Sequence, residues 1–516
     1  AEAHSNLGVA FKDQGKLDDA VASYHKALAI KPDYAEAHCN LGVAFKDQEK
    51  LDDAVASFHK AIAIKPDYAE AHSNLGSMLQ EQGKLDDAIA SFHKALAIKP
   101  DFTNAHSNWL LTEHYRFGHT GKTLYLLHCD WDAKFGEGYK FKWPEHQNER
   151  TPSRTLRIGF VSADLGRHPV GYFVVGLLKH LSSHGFQTYC YSDRIEDDLT
   201  TRIRENADIW QEIIGCSDEQ LTSRVMEDQI DILVDLAGHS AKNRLSVFAR
   251  KPAPVQVSWA GYVATTGLSA IDYLISDKYS TLEDEEDYYQ EQIIRMPDQW
   301  LCYEPPSYAS DVGPLPAIRN GYVTFCSFCN PAKLNTEVIS LWTRILKAVD
   351  KSQLIIKYRN IDTAYNIKRL TDQFEAEGVS ASRLVLEGQS PHAELFERYN
   401  DVDIALDPFP YSGGLTTYEA LWMGVPVITV PGDTFASRHS LSHLMTIGYP
   451  EFVAKDQDHY VELTTQLAHD LERLSVIRAQ LRKKMAASPT CDTQKFAKDF
   501  GVLMRDIWRK WCTQQL

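Results

Sequence analysis

The sequence predicts an α + α/β protein in which an α-helical solenoid precedes two doubly wound α/β lobes. Two observations carry this prediction. The first hundred residues repeat every 34 positions, and in the remaining chain apolar strand patterns alternate with helical patterns in two successive series. The composition, 44% hydrophobic and 11% aromatic over 516 residues, is that of ordinary globular protein and allows each domain its own core.

The 34-residue repeat is strict. Residues 1–8 return at 35–42 with one substitution and at 69–76 unchanged, and a fourth copy begins at Thr103. Each unit has the pattern helix, turn, helix, and a proline follows the second helix because proline cannot continue a helix. This period is typical of tetratricopeptide (TPR) repeats, which stack into protein-binding surfaces.

One asparagine recurs at the same place in the first helix of each repeat: Asn6, Asn40, Asn74 and Asn108. Asparagine is a mediocre helix former, so its recurrence in mid-helix needs a reason. A side-chain amide both donates to and accepts from an extended peptide backbone. We expect these residues to form a ladder that binds an extended protein segment. The alternative is a solvated polar position copied with the repeat.

The remaining chain alternates strands and helices, which indicates parallel sheets covered by helices on both faces. Predicted strands of the first series lie at 156–162, 187–192, 210–214 and 230–236. Those of the second series lie at 322–328, 353–357, 384–386, 402–406 and 425–430. We predict repeats over residues 1–115, a linker over 116–153, lobes over 154–312 and 313–489, and a closing helix over 490–516.

Charge and cysteine content exclude several classes of protein. The formal charge of −16 argues against nucleic-acid binding, and no run of about 18 apolar residues exists to span a membrane. The chain shows no signal peptide and begins without Met within a repeat, which suggests a truncated sequence. Nine cysteines with a single CxxC pair, Cys326 and Cys329, favour reduced thiols in a cytoplasmic protein over a zinc site.

The strongest local motif is a Gly-Gly turn, here residues 413–417, between a strand and a helix. Unpaired backbone N–H groups and the helix dipole at such a point suit a diphosphate. Glu419 lies one turn further on and can accept from ribose hydroxyls. The alternative is an ordinary capped turn. The candidate donor-binding residues here are Gly413, Gly414, Leu415, Thr416, Thr417 and Glu419.

A second motif, Asn330-Pro331-Ala332-Lys333, ends the first strand of the second lobe. A lysine there can neutralise a leaving diphosphate. We therefore place Asn330 and Lys333 among the donor-binding residues, with Lys333 also catalytic. The alternative is a surface lysine that precedes a helix.

Polar loops with glycines follow strand ends in the first lobe, at residues 164–169, 235–239 and 259–267. Ligands of doubly wound sheets bind at the carboxyl ends of strands. His168, Asp235 and His239 are therefore candidate catalytic residues that supply a base or polar contacts for a hydroxyl acceptor. Taken singly, a histidine is more often structural.

Together these residues resemble the O-GlcNAc transferase and SPINDLY family, family 41 of the glycosyltransferases. The asparagine ladder, Gly166-Arg167-His168-Pro169, the lysine motif and the Gly-Gly turn occur in the family's order. The resemblance implies a GT-B fold and an inverting transfer, without metal or other cofactor, from a sugar nucleotide to Ser or Thr of proteins. It implies GlcNAc from UDP-GlcNAc as the first expectation.

The resemblance also assigns roles. His168 resembles the family's active-site histidine, and Lys333 the lysine that contacts the donor diphosphate. Residues 414–416 match the diphosphate-binding turn and Glu419 the ribose contact. Asp235 and His239 match the loop on the acceptor side.

Several positions depart from the animal O-GlcNAc transferases. His392 stands where a lysine contacts uracil, Gly414-Leu415-Thr416 replaces His-Thr-Thr, and Asn330 replaces a glutamine. Because these changes touch the base and sugar pockets, they leave the donor open. Glu419 and residues 295–303 resemble SPINDLY proteins, whose plant members transfer fucose from GDP-fucose.

The sequence leaves three hypotheses for the function. The first is a cytoplasmic protein O-glycosyltransferase whose partners are protein acceptors and a nucleotide sugar, with no nucleic acid or membrane. The second is a non-catalytic TPR scaffold with a degenerate transferase domain, which the retained His168 and Lys333 disfavour. The third is a transferase for lipid or free glycan, which the TPR repeats disfavour because their groove suits an extended peptide.

Overall fold

The computed structural model describes residues 1–513. Helices in antiparallel pairs build the N-terminal repeats, as the 34-residue period predicts. They are α1 (Glu2–Asp13), α2 (Leu17–Ile30), α3 (Ala35–Asp47), α4 (Leu51–Ile64), α5 (Ala69–Glu81), α6 (Leu85–Ile98) and α7 (Thr103–Glu113).

A glycine and an aromatic residue bring the two helices of each repeat together. A Cβ atom at Gly42 would lie 2.7 Å from the Phe58 ring, so only glycine lets α4 pack this closely on α3. Phe58 is fully buried with Leu75 and Phe92 of the next repeat. The repeats therefore share one continuous core, as expected of a stack in which each unit covers its neighbour.

The region predicted as a linker contains α8 (Gly121–Trp131), and the first α/β lobe follows. Its elements are β1 (Leu156–Ser162), α9 (Pro169–Leu181), β2 (Phe186–Ser192), α10 (Asp198–Asn206), β3 (Ile209–Glu212), α11 (Asp218–Glu227), β4 (Ile232–Asp235), α12 (Leu245–Phe248), β5 (Val255–Ser258), β6 (Tyr273–Ser276) and β7 (Gln292–Arg295). The strands are parallel in the order β3-β2-β1-β4-β5-β6-β7.

The second lobe repeats this alternation. Its elements are α13 (Pro316–Asn320), β8 (Thr324–Ser327), α14 (Thr336–Ala348), β9 (Gln353–Lys357), α15 (Ala364–Ala376), β10 (Leu384–Glu387), α16 (His392–Arg398), β11 (Ile404–Leu406), α17 (Leu415–Trp422), β12 (Val427–Ile428), α18 (His439–Ile447), α19 (Gln457–His469), α20 (Leu471–Ala486) and α21 (Thr493–Thr513). The predicted closing segment 490–516 contains α21, and its residues 514–516 lie outside the described residues.

The chain divides into two compact units. The first comprises Ala1–Arg116 and Phe325–Pro391, so the repeats belong with β9, α15 and β10. In it β9 pairs in parallel with β10, with Leu354 opposite Leu384. The second comprises Phe117–Thr324 and the chain from His392 onward. It holds the first lobe and the parallel pair of β11 and β12.

Helix α21 returns to the first lobe. The Trp259 ring lies 6.0 Å from the ring of Phe496 and 5.2 Å from that of Phe500. Arg505 donates to the carbonyl of Arg154, just before β1, and to that of Gly185, just before β2. The late helix thus covers one face of a sheet whose strands come much earlier in the sequence. None of the helices within residues 1–513 is long and apolar enough to cross a bilayer.

Candidate functional site

The Gly-Gly turn is held by side chains on two sides. Gly413 N donates to Asp407 Oδ1 at 2.6 Å, and Asp407 Oδ2 accepts from Thr429 Oγ1 at 2.6 Å. Ser440 Oγ lies 2.9 Å from Thr417 Oγ1 and donates to Gly413 O at 3.2 Å. These contacts fix the backbone of the turn.

The turn opens α17 at an N-terminus that no side chain caps, because the N-cap residue is Gly414. The first N–H groups of a helix and its dipole attract anions. A Cβ atom at Gly413 would lie 2.4 Å from Thr417 Oγ1, so only glycine fits there. Leu415 and Thr416 are partly exposed. The arrangement can bind a diphosphate through the backbone.

Glu419 lies one turn into α17 and is hydrogen-bonded to His392, another of the predicted donor residues. Its Oε1 is 2.7 Å from His392 Nε2, and its side chain is only 2% exposed. His392 Nδ1 lies 2.9 Å from the hydroxyl of Tyr172 and 2.7 Å from that of Tyr308. The imidazole therefore links a carboxylate to two phenols.

Lys333 lies in the first unit, in the lysine turn (residues 330–334). This turn is a short 3-10 helix in which the side chain of Asn330 accepts from Ala332 N at 3.0 Å. Lys333 N donates to the carbonyl of Asn330 at 2.9 Å. Asn330 thus has a structural role in shaping the turn that carries the lysine.

His168 is the N-cap of α9. Its Nδ1 accepts from Val170 N at 3.4 Å and lies 3.7 Å from Asp164 Oδ2, and the side chain is 40% exposed. A neutral ring that accepts at Nδ1 carries its proton on Nε2. The preceding loop folds tightly over the helix, since a Cβ atom at Gly171 would lie 2.0 Å from Gly166 O.

Asp235 is a buried carboxyl at the end of β4. It accepts from Ala237 N at 3.1 Å and Gly238 N at 2.8 Å, and Ser258 Oγ lies 3.5 Å away. Burial is the largest effect and raises the pKa of Asp235 to about 6, whereas these hydrogen bonds oppose the rise. A carboxyl with a pKa in this range can exchange a proton near neutral pH.

His239 is fully buried in the loop after β4. Its Nε2 lies 2.8 Å from the carbonyl of Thr266, so that nitrogen carries the proton. The backbone N–H of Thr266 in turn donates to Oε1 of the buried Glu291 at 2.7 Å. Burial raises the pKa of Glu291. The ring of His239 is thus fixed through a second loop.

The predicted asparagines occupy equivalent positions on α1, α3, α5 and α7. Asn74 Nδ2 lies 3.8 Å from Cys39 Sγ, and Asn108 Nδ2 donates to Ser77 Oγ at 3.4 Å. Each contact joins one repeat to the preceding one. Asn6 is exposed, and Asn40, Asn74 and Asn108 are partly exposed.

Within the second unit, the structure brings His392 into contact with Glu419 and joins Gly413 to Thr417 through Ser440. His168, Asp235 and His239 follow strands β1 and β4 of the same unit. Lys333, Asn330 and the asparagines lie in the first unit.

Sequence reasoning missed residues that shape these sites: Tyr172, Tyr308, Asp407 and Ser440. Asp407 carried a signal, because a carboxylate at a strand end shortly before two glycines can fix a turn. The two tyrosines carried none, since their contacts span 220 and 84 positions to His392.

A TPR stack followed by two parallel-sheet, Rossmann-like lobes, with a Gly-Gly turn at a strand end, is the architecture of a two-lobed glycosyltransferase that carries TPR repeats. The family description "Glycosyl transferase family 41" matches residues 135–304 and 316–500. "TPR repeat" matches 8–49 and 44–83, and "Tetratricopeptide repeat" matches 69–102. The chain belongs to glycosyltransferase family 41.

The chain is similar to plant and bacterial proteins. The probable UDP-N-acetylglucosamine–peptide N-acetylglucosaminyltransferase SPINDLY of Solanum lycopersicum is 39% identical over 411 residues, 78% of this chain and 44% of the relative. The protein of the same description from Arabidopsis thaliana is 38% identical over 78% of this chain and 45% of the relative. The chain therefore spans less than half the length of these curated relatives.

A solved structure shows the same fold over nearly the whole chain. A mutant Thermobaculum terrenum O-GlcNAc transferase matches with a TM-score of 0.93 and 33% identity, covering 99% of this chain and 98% of that chain. The predicted fold, a TPR solenoid followed by two Rossmann-like lobes, is thereby confirmed.

Proposed function

We propose that this chain is an inverting protein O-glycosyltransferase that transfers GlcNAc from UDP-GlcNAc to Ser or Thr of protein acceptors. The observation that carries the proposal is the Gly-Gly turn, whose helix start suits a diphosphate and which has Glu419 one turn further on. The descriptions of the plant relatives and of the bacterial structure support GlcNAc as the sugar. We further propose that the protein is cytoplasmic.

The donor-binding roles follow the residues. The backbone of residues 413–417 binds the diphosphate, and Lys333 neutralises its charge as the bond to the sugar breaks. Glu419 and His392 face the nucleoside. The turn at residues 413–417 and Lys333 stabilise the negative charge of the diphosphate, and we propose that no divalent metal takes part.

The acceptor roles fall to the first lobe and the repeats. His168, Asp235 and His239 form the acceptor end of the site: the partly exposed His168 contacts the acceptor hydroxyl, and the buried Asp235 and His239 hold the loop that follows β4. Asn6, Asn40, Asn74 and Asn108 bind the backbone of the acceptor protein, because amides pair with any peptide regardless of its side chains.

The test is a donor comparison. The purified chain is incubated with UDP-GlcNAc, UDP-glucose or GDP-fucose and a library of Ser- and Thr-containing peptides, each with and without EDTA. We expect transfer from UDP-GlcNAc that EDTA leaves intact. Replacing Lys333 by Ala should lower turnover by roughly 100-fold or more, the scale of losing one electrostatic stabiliser. Lys347→Ala, an exposed lysine on α14, is the control.

Each other outcome contradicts one part of the proposal. Transfer from GDP-fucose alone assigns the other donor, and loss of transfer in EDTA that Mg²⁺ restores assigns a metal. Near-normal turnover in a folded Lys333→Ala protein removes the role of this lysine. Binding of nucleotide sugars without transfer to any peptide favours the hypothesis of a non-catalytic TPR scaffold.

A further inference from the structure

The third repeat contacts the part of the chain that carries Lys333. Its repeat turn (residues 81–84), between α5 and α6, lies against α15 and the lysine turn within the first unit. Glu81 accepts from Asn360 Nδ2 at 3.1 Å and from Arg359 Nη2 at 3.5 Å. The Lys84 ammonium lies 4.0 Å from the centre of the Tyr365 ring.

The repeat turn also touches the backbone of the lysine turn. A Cβ atom at Gly83 would lie 3.2 Å from the carbonyl oxygen of Pro331 and 3.4 Å from the guanidinium carbon of Arg369. That carbonyl accepts from Leu334 N at 3.0 Å, and Arg369 Nη1 donates to Leu334 O at 3.1 Å. Gly83 thus packs against the Pro331 carbonyl and the Arg369 guanidinium, and both of these groups are hydrogen-bonded to Leu334, the residue after Lys333.

The first repeat offers a matched comparison, because it has the same turn without the contact. Gly15 has φ +73 and nothing within 4 Å of a built Cβ atom, whereas Gly83 has φ +74 and lies against Pro331. A substitution at either position meets the same backbone strain. Only a substitution at Gly83 presses on the lysine turn.

We propose that residues 81–84 of the third repeat, together with Arg369, are positioning residues that hold Lys333 in place for the donor diphosphate. The inference rests on the proposed function of Lys333. It gives the repeats a second task beside acceptor binding, because they support the turn from which the lysine reaches the donor.

The experiment compares Gly83→Ala with Gly15→Ala in the whole chain. We expect kcat with UDP-GlcNAc to fall severalfold in Gly83→Ala relative to Gly15→Ala, since the lysine turn must move by a few tenths of an ångström and a displacement of about 1 Å can cost about 100-fold. KM for the acceptor peptide should not change, because the asparagine ladder is untouched. In a Lys333→Ala background the effect of Gly83→Ala should vanish, since coupled residues are not additive.

A second pair of variants covers the case in which Gly83→Ala does not fold. Glu81→Gln weakens the contacts to Arg359 and Asn360, and Asp47→Asn is the equivalent change in the second repeat. We expect kcat to fall in the first and not in the second. Because neither substitution touches the asparagine ladder, this pair also tests the contacts of Glu81 without changing acceptor binding.

The outcomes separate the two proposals. Equal kcat in both members of each pair, or a Gly83→Ala effect that persists without Lys333, overturns the positioning role. A wild-type chain without turnover contradicts the proposed function instead. Exchange of the amide hydrogens of residues 332–334 then decides: faster exchange in Gly83→Ala than in Gly15→Ala supports the positioning role, and equal exchange overturns it.

Discussion

His392 Nε2 lies 2.7 Å from Oε1 of Glu419, so the imidazole donates to a carboxylate that is almost fully buried. In a neutral ring with its proton on Nε2, Nδ1 then accepts from Tyr172 or Tyr308. A ribose that binds Glu419 must share it with His392. The hydrogen bond to His392 therefore orients the Glu419 carboxylate so that it can accept a second hydrogen bond from the ribose.

The first prediction concerns this pair. Glu419→Gln keeps the shape of the side chain but removes the charge that accepts from His392 and from the ribose. We expect the Kd of UDP to rise about tenfold, because a charge-assisted hydrogen bond contributes on the order of 1.5 kcal/mol. Titration calorimetry measures it, with Glu394→Gln on α16 as the exposed control. An unchanged Kd would mean that Glu419 does not contact the nucleotide.

The second prediction concerns His168. His168→Asn retains a side chain that can cap α9 and removes the titratable ring. We expect kcat to fall roughly 100-fold or more, the range of general acid–base catalysis, with the Kd of UDP nearly unchanged. Lys179→Ala, an exposed position on the same helix, is the control. Full turnover in the folded His168→Asn protein would exclude a catalytic role.

The third prediction concerns the asparagine ladder. Replacing Asn40, Asn74 and Asn108 together by Ala should raise KM for protein acceptors at least about tenfold, because several amide–backbone hydrogen bonds of about 1 kcal/mol each are lost. Donor hydrolysis should be spared. The control is the exposed triple with the same spacing, Lys26, Lys60 and Lys94. If donor affinity fell while the acceptor KM stayed constant, the asparagines would not bind the acceptor.

The fourth prediction concerns the pH dependence of stability. Burial raises the pKa of Asp235 from 3.8 to about 6, so between these values the folded protein holds a proton that the unfolded chain has lost. Stability from this group is therefore present below pH 3.8 and is lost as the pH rises to about 6. The loss is on the order of 3 kcal/mol.

Asp235→Asn abolishes this titration. We expect the variant to gain thermal stability relative to the wild-type chain as the pH rises from 4 to 7. Melting temperatures of both proteins over this range measure the effect, and their difference removes the titration of all other groups. A difference that stays constant with pH would show that Asp235 is already ionised at low pH in the folded protein.

The fold could be predicted from the sequence where patterns are long or repeated. The strands at 156–162 and 353–357 match the predicted bounds, because each is a mostly apolar run that follows three polar residues, 153–155 and 350–352. The strands β6 and β7 were not predicted, since each is four residues long and takes its pairing from neighbours already in the sheet. Short strands depend on tertiary contacts more than on local pattern.

The candidate site was predictable as motifs and not as contacts. The Gly-Gly turn could be found because glycines before a helix have a local physical meaning. The bond between His392 and Glu419 could not, because no local pattern links residues 27 positions apart. The same holds for Tyr172, whose position in α9 resembles that of any buried aromatic residue.

Helix α21 has a consequence for biosynthesis. This helix covers part of the first lobe: Phe500 packs on the rings of Trp259 and Phe160. Arg505 donates to carbonyls just before β1 and β2. Domains usually fold as units while the chain emerges from the ribosome. The first lobe cannot complete this packing until residues 493–513 have left the ribosome. Until then, the apolar face that α21 covers is exposed to water and is a surface to which chaperones can bind.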